Sequence, residues 1–117
     1  MTTFDDREKA FEAKYHIDEE LAFKVSVRRD KLLGLWLAVS LGQTGAEADA
    51  YARSVVEAGV GASSHDAMLT KLYADLAVQR PSFSVDMLRQ ESERLLSVAK
   101  QQILSEMASG SQNISPR

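Results

Sequence analysis

The residue types that most often perform chemistry are scarce in this chain of 117 residues. It has no cysteine and two histidines, which excludes a thiolate metal site, a disulfide scaffold and a cysteine nucleophile. His65 is flanked by Ser63, Ser64 and Asp66, but a catalytic triad is a spatial arrangement, and no G-x-S-x-G sequence supplies a nucleophile elbow. Carboxylates on helix surfaces are usually solvated, and we expect none in an apolar setting that would raise its pKa. We therefore expect no catalytic residue, no metal site and no enzyme activity.

A glycine-rich stretch resembles a ligand-binding loop. Gly59-Val60-Gly61 precedes Ser63-Ser64 and a predicted helix, and the N-terminus of a helix attracts phosphate groups. The stretch lacks a preceding strand, a third glycine and a Gly-Lys-Ser/Thr ending. A plain loop between two helices is the favoured interpretation, because glycine commonly interrupts helices.

Basic side chains concentrate in one cluster, made of Lys24, Arg28, Arg29 and Lys31. The whole chain has a net charge of −3, whereas a nucleic-acid-binding domain needs a basic excess. The longest apolar run, Leu35 to Val39, is too short to cross a membrane. The acidic start of the chain is unlike a signal peptide. We expect a cytoplasmic protein with no nucleic-acid partner and no membrane insertion.

The first 20 residues differ in composition from the rest. They hold seven acidic and three basic residues, so their net charge is −4, against +1 for the remaining 97. Phe4, Phe11 and Tyr15 stand at i, i+7 and i+11, and a helix would align them along one side. Alone, such a segment forms only a marginal helix. Two interpretations stay open: the groove of a partner buries the three aromatic side chains, or the stripe extends the first helix of the chain's own bundle.

Apolar residues after position 20 recur at helical spacing. The first stripe predicts a helix that Gly42 ends, with Trp36 as an anchor in the core. Gly34, inside the same stripe, predicts the close approach of another helix. The apolar residues of this stripe are Leu21, Val25, Leu32, Leu35, Trp36 and Val39.

Three further helices follow, each with start and stop signals. Thr44 begins a capping box at the start of the second helix, which the glycines at 59–61 interrupt. Ser63 or Ser64 caps the third helix, and Pro81 ends it. Ser84 caps the fourth helix, and Gly110 closes it. The predicted buried residues of the three helices are Ala48, Tyr51, Ala52, Val55 and Val56, then Met68, Leu69, Leu72, Tyr73 and Leu76, then Leu88, Leu95, Leu96, Ala99, Ile103 and Met107.

These patterns predict an all-α fold, a four-helix bundle with a mobile N-terminal arm. No segment alternates between polar and apolar residues as a strand would, and short connections favour helices that are neighbours in a bundle. The predicted division is an arm over residues 1–19, a helical domain over 20–108 and a flexible tail over 109–117.

The sequence also resembles a known family. Several segments closely resemble the zeta subunit family, small inhibitors of the F-type ATP synthase in alphaproteobacteria, and the resemblance is good from residue 1 to about residue 58. The segments are Phe4-Asp5-Asp6-Arg7-Glu8-Lys9-Ala10, Asp18-Glu19-Glu20-Leu21 with Phe23-Lys24, Arg28-Arg29 followed by Lys31-Leu32-Leu33-Gly34-Leu35-Trp36, and Tyr51-Ala52 with Val55-Val56.

The resemblance implies a four-helix domain preceded by an inhibitory arm, Thr2 to Glu19. In this family the arm enters the catalytic α/β interface and blocks ATP-driven rotation, as the mitochondrial ATPase inhibitor protein does. The implied partner is the catalytic sector of the synthase, with its α, β and γ subunits, and the implied location is the cytoplasm beside the membrane-bound enzyme. The implied contact residues are Phe4, Asp5, Asp6, Arg7, Glu8, Lys9, Phe11, Lys14 and Tyr15.

Two other functions stay open. Some family members bind adenine nucleotides weakly through the bundle, so one alternative is a small nucleotide-binding regulatory domain with weak or no inhibition. In that case ADP or ATP is a weak ligand and no cofactor is required. The loop from Glu57 to Ser64 departs from the acidic, aromatic loop of relatives, so the residues that would bind a nucleotide stay unknown. The other alternative is a helical adaptor for an unrelated protein.

Overall fold

Four helices make up the described part of the chain. The computed structural model describes the backbone of residues 19–113 and the side chains of residues 19–109. Over this range it contains α1 (Glu19–Ser40), α2 (Gly45–Gly61), α3 (His65–Ala77) and α4 (Val85–Asn113), and no strand. Helix α1 packs on α2 and α4, and α3 packs on α4 and α2, so the helices close a ring. The prediction of an all-α four-helix bundle is confirmed, while residues 1–18 of the predicted arm lie outside the described residues.

Several predicted helix ends are confirmed. Gly42 follows α1 with a φ of +81°, a conformation that glycine adopts without the strain of a side chain. The hydroxyl of Ser64 accepts a hydrogen bond from the backbone N–H of Ala67 at 3.0 Å and so caps α3. The hydroxyl of Ser84 accepts one from Met87 at 3.1 Å at the start of α4. Each cap satisfies an N–H group that has no partner within its own helix.

Three details of the predicted helix ends are wrong. Thr44 is the N-cap of α2, but its side chain makes no capping hydrogen bond, so no capping box forms. Gly59 and Gly61 belong to α2, which ends after them. Helix α4 continues past Gly110 to Asn113. A glycine inside a helix costs about 1 kcal/mol relative to alanine, which neighbouring helix-forming residues can offset.

Helix α1 buries different faces along its length. Its N-terminal half buries Leu21 and Val25 in a small cluster with Ala99 and Ile103 of α4. Its C-terminal half buries Leu33, Gly34, Leu37 and Ala38 instead. The predicted stripe through Leu32, Leu35, Trp36 and Val39 is therefore one residue out of phase at that end: the first three are only partly buried, and Val39 is 72% exposed.

The main core combines residues from all four helices and one connecting segment. The predicted stripes of α2, α3 and α4 are confirmed at their central positions, but Met107 is exposed because it lies near the end of the long helix α4. Trp36 is half-buried and meets the ring of Phe83 edge-on, with centroids 5.9 Å apart. The buried residues of this cluster are Leu33, Leu37, Val55, Met68, Leu69, Leu72, Leu76, Phe83, Leu88 and Leu95.

Gly34 lets α1 and α2 approach each other closely. A Cβ atom at this position would lie 2.6 Å from the Cα of Ala52, which belongs to the backbone of α2 and cannot rotate away. The predicted close approach is thus confirmed, and Gly34 is required by packing.

We expect Gly34→Ala to destabilise the protein and Gly61→Ala to leave it as stable or slightly more stable. Both substitutions replace a helical glycine, but only the first forces two backbones apart, since nothing lies within 4 Å of the new Cβ at Gly61. Overpacking of this kind costs about 1–3 kcal/mol, whereas a tolerated Gly→Ala gains about 0.4–1 kcal/mol. Urea unfolding of both variants measures the difference. Equal stabilities would contradict the close packing of α1 on α2.

Candidate functional site

The contact residues predicted from the sequence precede the described part of the chain. Phe4, Asp5, Asp6, Arg7, Glu8, Lys9, Phe11, Lys14 and Tyr15 all lie outside residues 19–113, and their roles stay predictions. What the structure describes is the point to which that segment is joined, the N-terminal half of α1. Two groups of polar contacts and two cavities surround this half-helix.

Arg29 and Asp30 form the first group of polar contacts. Arg29 Nε donates to Asp30 Oδ1 at 3.1 Å, and the two side chains are only 12% and 6% exposed. The carboxylate packs directly on Gly59 of α2, in the space that a Cβ at this position would need. A buried charge is costly unless it is paired. The guanidinium group of Arg29 and the absence of a Cβ atom at Gly59 therefore allow the carboxylate of Asp30 to be buried.

His65 extends this group to α3 and α4. Its Nε2 lies 2.6 Å from the hydroxyl oxygen of Ser92, a buried residue of α4. At the exposed edge, Arg89 of α4 donates to both carboxylate oxygens of Asp66, at 2.9 and 3.3 Å. The buried and partly buried residues that join the four helices in this way, here called the polar seam, are Arg29, Asp30, Gly59, His65 and Ser92.

Burial shifts two pKa values within the polar seam in opposite senses. It raises the pKa of the Asp30 carboxyl above its ordinary value, and the positive charge of Arg29 opposes the rise. It also lowers the pKa of His65 to about 4, helped by the charge of Arg29 and opposed by that of Asp66. The expectation that no carboxylate has an apolar setting is therefore wrong. A signal was present, because Asp30 stands three residues before Leu33 and seven before Leu37, on the face that α1 buries.

A cavity of about 300 Å³ opens beside the polar seam, with Ser64 and His65 in its wall. The chemistry of this wall does not fit a nucleotide phosphate, because Asp30 contributes a carboxylate and Arg29 is already bonded to that carboxylate. The glycine-rich stretch beside it is helical and forms no phosphate loop. Weak binding of ADP or ATP at another place stays a prediction.

Arg28 forms the second group of polar contacts, which joins α1 to α4. Its guanidinium group donates to Oε1 of Gln102 and to Oε1 of Glu106, each at 2.8 Å. The hydrogen bond from Arg28 lowers the pKa of the Glu106 carboxyl. We call these contacts the Arg28 clasp. The clasp and the small cluster around Leu21 and Val25 together hold the N-terminal half of α1 on α4.

The structure divides the basic cluster that the sequence suggested. Arg28 bonds to α4, Arg29 bonds to Asp30, and Lys24 lies 3.7 Å from Glu20 on its own helix. Within residues 19–113, no group of His, Cys, Asp or Glu side chains could hold a metal ion. In the same range, no helix is both long enough and apolar enough to cross a membrane. Of these polar contacts, those of Arg28 join two helices, whereas those of Lys24 and Arg29 lie within α1.

Comparison with known proteins identifies one family. The family model described as ATPase inhibitor subunit zeta matches residues 1–102. The match includes the 18 residues before α1, the first three helices and much of α4. No curated protein and no solved structure matches the chain.

We expect His65 to make the stability of the bundle depend on pH between about 6.5 and 4. The pKa of His65 is about 4 in the folded protein and about 6.5 in an unfolded chain, so the unfolded state takes up the proton first as the pH falls. The contribution of neutral His65 to the free energy of unfolding is complete above pH 6.5. It is lost progressively down to pH 4, at no more than about 1.4 kcal/mol per pH unit.

The measurement is the free energy of unfolding of the wild type and of His65→Gln at several pH values. The stability advantage of the wild type over His65→Gln should shrink as the pH falls through this window, because all other titrating groups are common to the two proteins. A difference that stays constant from pH 7 to pH 4 would show that His65 does not titrate as its burial requires.

Proposed function

The chain belongs to the ATPase inhibitor subunit zeta family, and we propose that it blocks ATP hydrolysis by inserting residues 1–19 as a helix into the catalytic α/β interface of the F-type ATP synthase. As an inhibitor subunit it is a partner of the ATPase complex and not an enzyme. The proposed contacts are with the α, β and γ subunits of the catalytic sector. The proposed location is the cytoplasm, beside the membrane-bound synthase.

The extent of the family match carries this proposal. The match starts at residue 1, so the segment before the bundle is part of what the chain has in common with the inhibitor family. The bundle itself offers no reactive arrangement in its described part, since Arg28, Asp30 and His65 are bonded to other residues of the bundle. Inhibition is therefore assigned to the residues that precede Glu19.

Phe4, Phe11 and Tyr15 are the proposed apolar anchors of the inserted helix. Their spacing aligns them on one side of a helix, and aromatic side chains seated in pockets dominate the affinity of most interfaces. Arg7 is the proposed polar contact, because its planar guanidinium group can hold a carboxylate in two parallel hydrogen bonds. We propose that the segment becomes ordered on binding, which costs about 2–5 kcal/mol of the interaction energy.

The bundle has a separate role in this proposal. Residue 18 is followed directly by the first residue of α1, and the Arg28 clasp fixes the N-terminal half of α1 on α4. The inserted helix is thus joined to a folded domain with its own core. That domain remains outside the interface and can hold the inhibitor at the surface of the enzyme.

We expect the double substitution Phe4→Ala with Phe11→Ala to weaken inhibition at least about tenfold, equivalent to 1.4 kcal/mol. The thermal midpoint of the free protein should hardly change, because the main core is formed by residues after Glu19. The measurement is ATP hydrolysis by the soluble catalytic sector of the cognate synthase, titrated with each protein. A matched control is Val39→Ala with Val78→Ala, which removes two exposed apolar side chains from the bundle.

Ala10→Pro tests whether the segment acts as a helix. An interior proline costs about 3 kcal/mol in a helix, so this variant should also inhibit poorly while the bundle stays folded. If the arm variants unfold the bundle, the segment is a structural extension of α1. If they change neither stability nor inhibition, insertion as described is wrong.

A further inference from the structure

One face of the N-terminal half of α1 carries an aromatic side chain that the bundle does not cover. Phe23 is 55% exposed, and among residues 19–109 every other phenylalanine, tyrosine and tryptophan is at least partly buried. Val60 of α2 is 60% exposed and, like Phe23, lines the cavity beside the polar seam. The apolar residues of this surface, here called the Phe23 face, are Phe23, Val27, Val56 and Val60. Large apolar groups that remain exposed together often mark an interaction site.

Phe23 and Val27 separate two hollows in the surface. On the side of the polar seam they line the cavity of about 300 Å³, which includes Val60. They also line a cavity of about 340 Å³ that includes Lys24, Lys31 and Val56. An exposed phenylalanine that borders two hollows offers a partner an apolar side chain with depressions beside it, as interface anchors do.

The Phe23 face is held rigidly. The Arg28 clasp bonds the next turn of α1 to Gln102 and Glu106 of α4, and Leu21 and Val25 are buried on the opposite side of the same turns. Phe23 is therefore exposed on a fixed helix and not on a loose end. A preformed surface binds with a smaller loss of conformational entropy than one that must order first.

The position of Phe23 along the chain identifies its partner. It lies four residues after Glu19, about 6 Å along a helix that rises 1.5 Å per residue. If residues 1–19 are inserted into the ATPase, the protein surface around the point of entry must lie within reach of Phe23. We propose that the Phe23 face is a second contact with the ATPase, on the surface that borders the site entered by residues 1–19. This inference rests on the proposed insertion.

The side chains around Phe23 define the surface that would receive it. The ring and the three valines require an apolar patch. The larger hollow is lined by Lys24, Arg28 and Lys31 and by one carboxylate, that of Glu106, and this excess of positive charge favours carboxylates at the edge of the patch. An apolar centre with complementary charges at its rim is the usual arrangement of a protein interface. The fitting partner surface is thus apolar with acidic side chains around it.

The test is a titration of the ATPase activity of the soluble catalytic sector with the wild-type chain and three variants. Phe23→Ala should raise the concentration needed for half-inhibition about tenfold, and Phe23→Leu should restore much of the loss because it keeps an apolar side chain. The control Val39→Ala removes a side chain that is 72% exposed at the other end of the same helix and should stay within twofold of wild type. Thermal midpoints should be equal.

Three results would overturn the inference. Half-inhibition by Phe23→Ala within twofold of wild type shows that the Phe23 face does not contact the ATPase. A lower half-inhibition concentration shows that the face instead holds residues 1–18 of its own chain. A sedimentation coefficient of free Phe23→Ala that differs from that of the free wild type shows that the Phe23 face contacts a second copy of the chain.

The arm variant Phe4→Ala with Phe11→Ala separates this inference from the proposed function. If the arm variant loses inhibition and Phe23→Ala does not, the inference fails and arm insertion stands. If the arm variant inhibits normally, arm insertion fails, and with it the geometric basis of the inference.

Discussion

The separation between α1 and α2 is the constraint on which the rest of the bundle depends. Two positions without side chains set it: Gly34 faces the backbone of Ala52, and Gly59 faces the carboxylate of Asp30. Packed helices usually stand 8–10 Å apart according to the side chains between them, so glycines at the contact allow a close approach. This approach buries Asp30, and the buried carboxylate requires Arg29 as its partner.

The same constraint helps to fix the whole length of α1 on the bundle. The C-terminal half of α1 packs against α2. The Arg28 clasp and a small apolar cluster hold the N-terminal half of α1 on α4. The beginning of α1 is therefore part of a rigid body even though it lies at the edge of the main core. The aromatic residue of the Phe23 face belongs to this half of α1, four residues after the helix begins at Glu19.

Much of the fold could be predicted from the sequence, because local signals govern it: Ser64 and Ser84 cap helices, and Gly42 ends one. The buried face of α1 could not be predicted in the same way, because it changes along the helix as the neighbouring helix changes. A single periodic stripe therefore predicts that Val39 is buried, whereas it is 72% exposed. The spacing of Asp30 to Leu33 and Leu37 indicates that it lies on the buried face, but the space for its carboxylate comes from Gly59, which is distant in sequence. The proposal of contact residues before Glu19 rests on their spacing and on the resemblance to the family. The family match confirms membership of the family, and the contacts themselves stay a proposal.

The central claim is that residues 1–19 enter the catalytic interface while the bundle remains outside. The chain has no cysteine, so Ala10→Cys and Ala108→Cys each give one attachment point for a photoreactive cross-linker that can be loaded before the ATPase is added. The decisive measurement is mass-spectrometric mapping of the cross-linked peptides. We predict that position 10 cross-links to both α and β at their shared catalytic interface, and that position 108 does not. Cross-links from position 10 that reach only the bundle, or only the outer surface of one subunit, would contradict insertion.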